Sequence, residues 1–329
     1  MMPEAPDHNL ALDLVRVTEV AAMAAARWQG RGNKENADQA AVDGMRAVLS
    51  TVAIDGTIII GEGEKDNAPM LFNGERVGSG QGLRVDVAVD PVDGTTLTAE
   101  GMPGALAVIT VAEAGSMYAP GSLVYMDKIA VGPAAAGSID LDAPVAHNLR
   151  QVARALGKDI NDLTAIILDR PRNKKYVDAV RSAGARIRLI RDGDVSAAIS
   201  TAEVDSGIDI LLGIGGSPEA VIAAGALTCL DGEMQCRLWP RDDTEREYAL
   251  ENGLDLDVVL TTRDLVDSEN VFFAATGVTG GELLDGVTFY ADGAETHSVV
   301  MRSKTGAVRY VDTRHNLKKL ERISSVPLS

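Results

Sequence analysis

The sequence is poor in the residues that carry redox, disulfide and membrane-spanning chemistry. Only two cysteines, Cys229 and Cys236, occur in 329 residues. Two thiols cannot build a disulfide framework, and they form no C-x-x-C pair for zinc or redox work. Aromatic residues make up 4% of the chain, which leaves the core to Ala, Val, Ile and Leu. No uninterrupted apolar run is long enough to span a bilayer. The opening MMPEAPDHNL lacks the basic stretch and apolar run of a signal peptide, so a reducing cytoplasm is the expected setting. Positive charge is short as well: 31 Lys and Arg face 48 Asp and Glu, for a formal net charge of −17. That balance disfavours a sequence-independent grip on nucleic acid or on an anionic membrane. An anionic ligand would need metal ions, backbone N–H groups or a local basic patch to be held against that field. An acidic surface that only keeps the protein dissolved accounts for the same number.

What is present is a globular chain, 46% hydrophobic, with enough length for one large layered unit or two coupled lobes. Apolar residues recur at helical spacing from Leu10 to Trp28, and Asp38 to Leu49 reads as a second helix entered through Asn36 or Asp38. The run Thr57–Ile60 predicts a buried strand. A second strand, Val85–Val89, is expected to stop at Pro91, because proline cannot continue a ladder. Ala105–Val111 is a third apolar run. The small residues Gly132 to Gly137 are a candidate junction between lobes 1–140 and 141–329. Beyond them strands Leu163–Leu168, Arg186–Ile190 and Ile208–Leu212 alternate with helices Lys174–Ala183, Val195–Thr201 and Pro218–Leu227. Such alternation argues for an α/β sheet with helices on its faces. The C-terminal part reads as strand-rich, and its basic tail from Arg314 is expected to dock on a neighbour or fray.

Three acidic clusters stand at strand ends or helix starts. Val89-Asp90-Pro91-Val92-Asp93-Gly94-Thr95-Thr96 sets two carboxylates on one tight turn, where oxygen ligands suit Mg²⁺ or Mn²⁺. An ordinary Asx turn before a helix explains the same residues. Gly61-Glu62-Gly63-Glu64-Lys65-Asp66 concentrates acids whose repulsion cations would relieve; a surface acidic loop is the plain alternative. Asp38 makes the third cluster. Together they form the pattern of a multi-metal hydrolytic site, in which paired cations polarise a phosphoryl oxygen and activate a water.

The second half supplies anion-binding pieces. Arg170-Pro171-Arg172, with Lys174 and Lys175 behind it, offers planar guanidinium forks matched to phosphate. Asp192-Gly193-Asp194 closes the next strand and suits sugar hydroxyls. Gly213-Ile214-Gly215-Gly216-Ser217-Pro218-Glu219 is expected between strand and helix, where free N–H groups favour phosphate. It also begins like a dinucleotide fingerprint, with Asp231 or Glu233 as the ribose acid, but Pro218 holds the third glycine position. The histidines, His8, His147, His297 and His315, lie outside the acidic clusters. No G-x-S-x-G occurs either, so a Ser-His-Asp reading has no support.

With these residues in view, the chain resembles the class II fructose-1,6-bisphosphatases of bacteria, within the lithium-sensitive phosphatase superfamily. The likeness runs from the first helix to about Leu320. It rests on Gly30 to Lys34 with Asp38, Ile59 to Glu64 followed by Ala68 to Leu71, Val89 to Thr95, Arg170 to Arg172, Asp192 to Asp194, and Gly213 to Glu219. The resemblance implies a layered α/β sugar-phosphatase fold with two mixed sheets and packed helices. Residues 1–140 would then be a metal-binding lobe and 141–329 a sugar-phosphate-binding lobe of one catalytic unit.

It also implies hydrolysis of a small-molecule sugar bisphosphate, fructose 1,6-bisphosphate, to fructose 6-phosphate, with Mg²⁺ or Mn²⁺ as cofactor and a homotetramer or homodimer as the assembly. Asp38 and Glu62 would hold one metal, and Asp90, Asp93 and Glu219 another. Substrate would meet Asp93, Gly94, Thr95, Tyr125, Arg170, Pro171, Arg172, Asp192, Gly193, Asp194 and Gly216. Lys34, Asp66 and Thr95 match the catalytic positions, with Asp66 and Thr95 orienting the attacking water. Two alternatives keep the chemistry and change the substrate, to an inositol monophosphate or to sedoheptulose 1,7-bisphosphate. A third, of another class, is a non-catalytic sugar-phosphate sensor.

Overall fold

Two helices open the chain in the computed structural model, which describes residues 9–61 and 71–324. They are α1 (Ala11–Ala26) and α2 (Lys34–Leu49), followed by β1 (Ile54–Ile60), β2 (Arg76–Val77), β3 (Leu83–Asp93), α3 (Thr95–Glu100), β4 (Leu106–Glu113) and β5 (Tyr125–Val131). The middle of the chain alternates: α4 (Val145–Leu156), β6 (Thr164–Leu168), α5 (Lys174–Ala183), β7 (Arg186–Ile190), α6 (Asp194–Ser200), β8 (Ile210–Gly216) and α7 (Ser217–Cys229). Then come β9 (Glu233–Leu238), α8 (Asp243–Glu251), β10 (Leu260–Thr261), α9 (Thr262–Leu265), β11 (Phe272–Gly277), β12 (Thr288–Phe289), β13 (Gly293–Arg302), β14 (Ala307–Asn316) and α10 (Leu317–Ser324).

The strands form two mixed sheets. Among the described residues the first runs β12-β13-β11-β4-β3-β1-β2, with β14 paired to β13; β1 and β3 are parallel and the other pairs antiparallel. The second runs β10-β9-β5-β8-β6-β7, parallel at β6–β7 and β6–β8. The period-2 alternation of strands sorts their side chains into separate cores. Val87, Ile109 and Phe272 face α1 and α2 on one side of the first sheet. Their neighbours Ala88, Val108 and Phe273 face a middle layer that holds α6 and α7 and also receives Met126 and Ala130 from β5. Ile129 and Val131 point the other way, with Leu149 of α4 and Val180 of α5. The molecule is therefore an α/β stack with helices outside each sheet and a helical layer between them. No described helix is long and apolar enough to cross a membrane.

Three local expectations change. Helix α2 starts at Lys34 rather than Asp38, because the Asn33 side chain accepts the Asn36 N–H at 2.9 Å and caps the helix earlier. Asp38 thus sits in the second turn. Strand β3 passes through Pro91 to Asp93; its register slips between Asp90 and Asp93, and a bulge is where a sheet tolerates proline. The glycine run from Gly213 to Gly216 belongs to β8, paired with Tyr125–Lys128, rather than to a loop. Of the basic tail, residues 314–316 end β14 and Leu317–Ser324 form α10, which touches α2, β13 and β14, while residues 325–329 lie outside the described residues.

Candidate active site

A cavity of about 740 Å³ opens where the ends of β3, β6, β7 and β8 meet the starts of α6 and α7. Of the residues expected to act, it brings together Asp93, Tyr125, Arg170, Arg172, Asp192, Asp194, Gly216 and Glu219 in its walls. Lys34, Asp38, Asp90, Gly94, Thr95, Pro171 and Gly193 are not in that lining. Glu62 and Asp66 lie outside the described residues, while Gly61, Phe72 and Asn73 on either side of them line the cavity.

Part of the lining is acidic. Asp93 closes β3 with 3% exposure, and its Oδ2 accepts the Val195 N–H of α6 at 3.2 Å. Burial pushes its carboxyl well above the usual range, and the nearby Glu219, Asp192 and Asp194 push it further. Glu219 stands in the first turn of α7. Burial raises its carboxyl too; Lys128 opposes the rise and Asp194 adds to it. Its Oε2 is buried and has no hydrogen-bond partner among the described residues. Upstream, the bulge is held by Asp90, whose Oδ1 accepts the Val92 N–H at 3.0 Å. Lys34 donates to Thr96 Oγ1 at 2.8 Å and ties the start of α2 to α3, one residue from Thr95.

A buried carboxylate oxygen without a donor, crowded by other acids, is a poor resting state without a cation. All-oxygen donors on a rigid strand end and helix start fit a hard divalent ion. Among the described residues no group of three or more His, Cys, Asp or Glu side chains is arranged to hold one; Glu62, the remaining expected ligand of the acidic loop, lies outside them.

Another part of the lining is basic and aromatic. Arg172 lies in a single 3₁₀ turn after β6, its guanidinium 4.2 Å over the Tyr125 ring and its Nε donating to the Ile214 carbonyl at 3.0 Å. Arg170 reaches Asp192 at 4.0 Å. Lys174 and Lys175 turn to Asp178 and Asp127 instead and are absent from the lining.

Three residues were not legible as functional. Arg241 lines the cavity with its guanidinium 6.0 Å from the Tyr125 ring, steadied by Glu245 at 2.5 Å. Asn173, buried, accepts the Ile214 N–H at 2.7 Å and donates to the Leu168 carbonyl at 3.0 Å, clasping β6 to β8 beneath the basic turn. Lys128, on β5, pairs with Asp194. Its only sequence signal was a lysine in step with Met126 and Ala130 in an apolar run.

The glycine strand also has another use than expected. A Cβ on Gly215 would stand 1.7 Å from Asp194 Oδ2, and one on Gly216 would stand 1.7 Å from Glu219 Oε2. The Ser217 N–H already serves the Val124 carbonyl. These glycines make room for carboxylates, and Gly216 stays in the cavity lining. The thiols play no part: burial raises Cys229 and Cys236 to about 12, so both stay protonated.

The chain is similar along most of its length to known proteins. A family profile described as bacterial fructose-1,6-bisphosphatase, glpX-encoded, matches residues 8–315. Fructose-1,6-bisphosphatase 1 class 2 of Escherichia coli K12 is 45% identical over 325 residues, covering 94% of this chain and 96% of its own. Fructose-1,6-bisphosphatase class 2 of Shigella flexneri is similar to the same extent.

Proposed function

The chain belongs to the bacterial, glpX-encoded fructose-1,6-bisphosphatase family, and on that footing we propose that the cavity hydrolyses fructose 1,6-bisphosphate to fructose 6-phosphate and phosphate, a gluconeogenic step, with a divalent ion at its carboxylates. The observation that carries this reading is a single cavity lined both by the crowded carboxylates of Asp93 and Glu219 and by Arg170, Arg241 and Arg172, the last stacked on Tyr125.

A sugar bisphosphate calls for both kinds of group in one cavity, carboxylates for a cation and guanidinium forks for a phosphate. Arg172, Arg170 and Arg241 bind the 6-phosphate, with Tyr125 fixing the plane of the Arg172 fork. Asp192 and Asp194 take sugar hydroxyls. Asp93, Glu219 and Asp90, with Asp38 and Glu62, would hold Mg²⁺ or Mn²⁺, which supplies charge neutralisation at the 1-phosphate and an acidified water. Lys34 fixes the Thr95–Thr96 segment beside the reacting phosphate, and Asp66 with Thr95 orients the attacking water and takes its proton. The Asp-Pro-x-Asp-Gly-Thr turn supports membership of the lithium-sensitive phosphatase superfamily. A homo-oligomer, dimer or tetramer, in the cytoplasm is the expected working form.

Phosphate release from a panel of sugar phosphates tests the substrate. Fructose 1,6-bisphosphate is expected to give the highest kcat/KM, ahead of sedoheptulose 1,7-bisphosphate, inositol 1-phosphate and fructose 6-phosphate. A monoester hydrolysed as efficiently as the bisphosphate would overturn the assignment.

A further inference from the structure

Lys128 lies at 2% exposure in the middle of β5, in step with Met126 and Ala130, which pack in the core between the sheets. An apolar side chain there would serve packing better, because burying an ammonium costs several kcal/mol unless it is fully paired. The partners are specific. Lys128 Nζ donates to Asp194 Oδ2 at 2.5 Å and to the Gly216 carbonyl at 2.9 Å. Its charge also acts on Glu219. Burial, the largest influence, pulls the ammonium down, but Asp194 and Glu219 outweigh it and hold the group above the ordinary lysine value.

Asp194, Gly216 and Glu219 all line the cavity, and Lys128 does not. Its Cε and the Asp194 carboxylate together fill the space beside Gly215, at 2.9 and 1.7 Å from where a Cβ would stand. A single buried cation thus fastens the start of α6 and the end of β8 to one strand.

We propose that Lys128 is a positioning residue for sugar-phosphate binding: it fixes the Asp194 carboxylate and the Gly216 turn from beneath the cavity floor without touching the substrate. This inference rests on the reading that the cavity takes a sugar bisphosphate. Lys128 acts on substrate affinity more than on turnover, because the carboxylate it pairs with, Asp194, is assigned to the sugar rather than to the reacting phosphorus.

K128Q keeps a hydrogen-bond donor and removes the charge; K128R keeps the charge. Two readouts are taken on protein whose fold is verified by circular dichroism: calorimetric binding of fructose 6-phosphate in EDTA, and KM and kcat for fructose 1,6-bisphosphate with Mg²⁺. In K128Q both the fructose 6-phosphate Kd and the KM are expected to rise about tenfold, the size of one lost charge-assisted hydrogen bond, with kcat within about threefold. K128R is expected to restore both constants to within about threefold of the parent. A folded K128Q with both constants within about twofold of the parent would show a merely structural lysine and overturn the proposal. If K128Q does not fold, K128R decides: parent-like binding supports the proposal and a tenfold weakening defeats it. A parent protein that binds fructose 6-phosphate but releases no phosphate would sink the functional reading instead, while the calorimetry still tests Lys128.

Discussion

Asp93 Oδ2 accepts the Val195 N–H at 3.2 Å, so the last residue of a strand in the first sheet caps a helix that packs on the second. One carboxylate therefore joins the two halves of the cavity while crowded by Glu219, Asp192 and Asp194. Asp93→Asn removes that charge with little change in shape. In EDTA its Tm is expected to rise by a few degrees, since buried like-charge repulsion is relieved. Its kcat/KM with Mg²⁺ should fall about 100-fold or more. Thermal melts and steady-state rates on one preparation check both signs; a lowered Tm would contradict the electrostatic account.

Gly216→Ala isolates the carboxylate next door. Gly216 has φ −65° and ψ 140°, a conformation alanine adopts freely. The added methyl would stand 1.7 Å from the Glu219 carboxylate and must turn it out. Activity is expected to drop about 100-fold while Tm moves by only a few degrees, the pattern of a displaced charge-stabilising group. Rates close to the parent's would show that the position of Glu219 does not matter.

Arg172→Ala separates a bisphosphate reader from a monoesterase. Loss of the fork over Tyr125 should raise KM for fructose 1,6-bisphosphate about 10- to 100-fold, the weight of a charge-assisted contact. Inositol 1-phosphate, which lacks a second phosphate, should be affected little. Equal effects on both substrates would remove Arg172 from the distal site.

Much of this was legible in the sequence where local signals and tertiary structure agree. Lys174–Ala183 and Arg186–Ile190 form a helix and a strand with the expected bounds, because their apolar periods face one core. Asp93, Arg172, Asp192 and Glu219 showed as charges at strand ends or helix starts. Strand β5 did not show. Asp127-Lys128 interrupts its apolar run, and their partners, Tyr176 and Asp194, lie far along the chain. The Gly213–Gly216 run read as a loop because glycine opens backbones; here it stays in a strand, and the carboxylates over Gly215 and Gly216 come from elsewhere in the fold. Pro91 read as a stop, since a bulge depends on the opposing strand and is invisible locally.

Away from the cavity, Glu19 of α1 is buried with His315 at 3.8 Å and Thr296 at 3.4 Å. Burial raises its carboxyl above the ordinary 4.5. An elevated acid favours the folded state below its unfolded value, and that contribution is lost as pH rises through the folded value. Glu19→Gln fixes the neutral form, so its stability relative to the parent is expected to improve from pH 4.5 to neutrality, by up to about 1.4 kcal/mol per unit of pKa shift. Urea melts at several pH values read this directly; a difference that does not change with pH would remove Glu19 from the balance.

The central claim is that acids converging on Asp93 and Glu219 work only through a divalent ion set against a phosphate ester. Protein stripped with EDTA is mixed with fructose 1,6-bisphosphate, and inorganic phosphate is followed before and after stepwise addition of Mg²⁺ or Mn²⁺. The account predicts no release in EDTA and saturable recovery with added ion. Steady release from the stripped protein, or none after ions are restored, would contradict it.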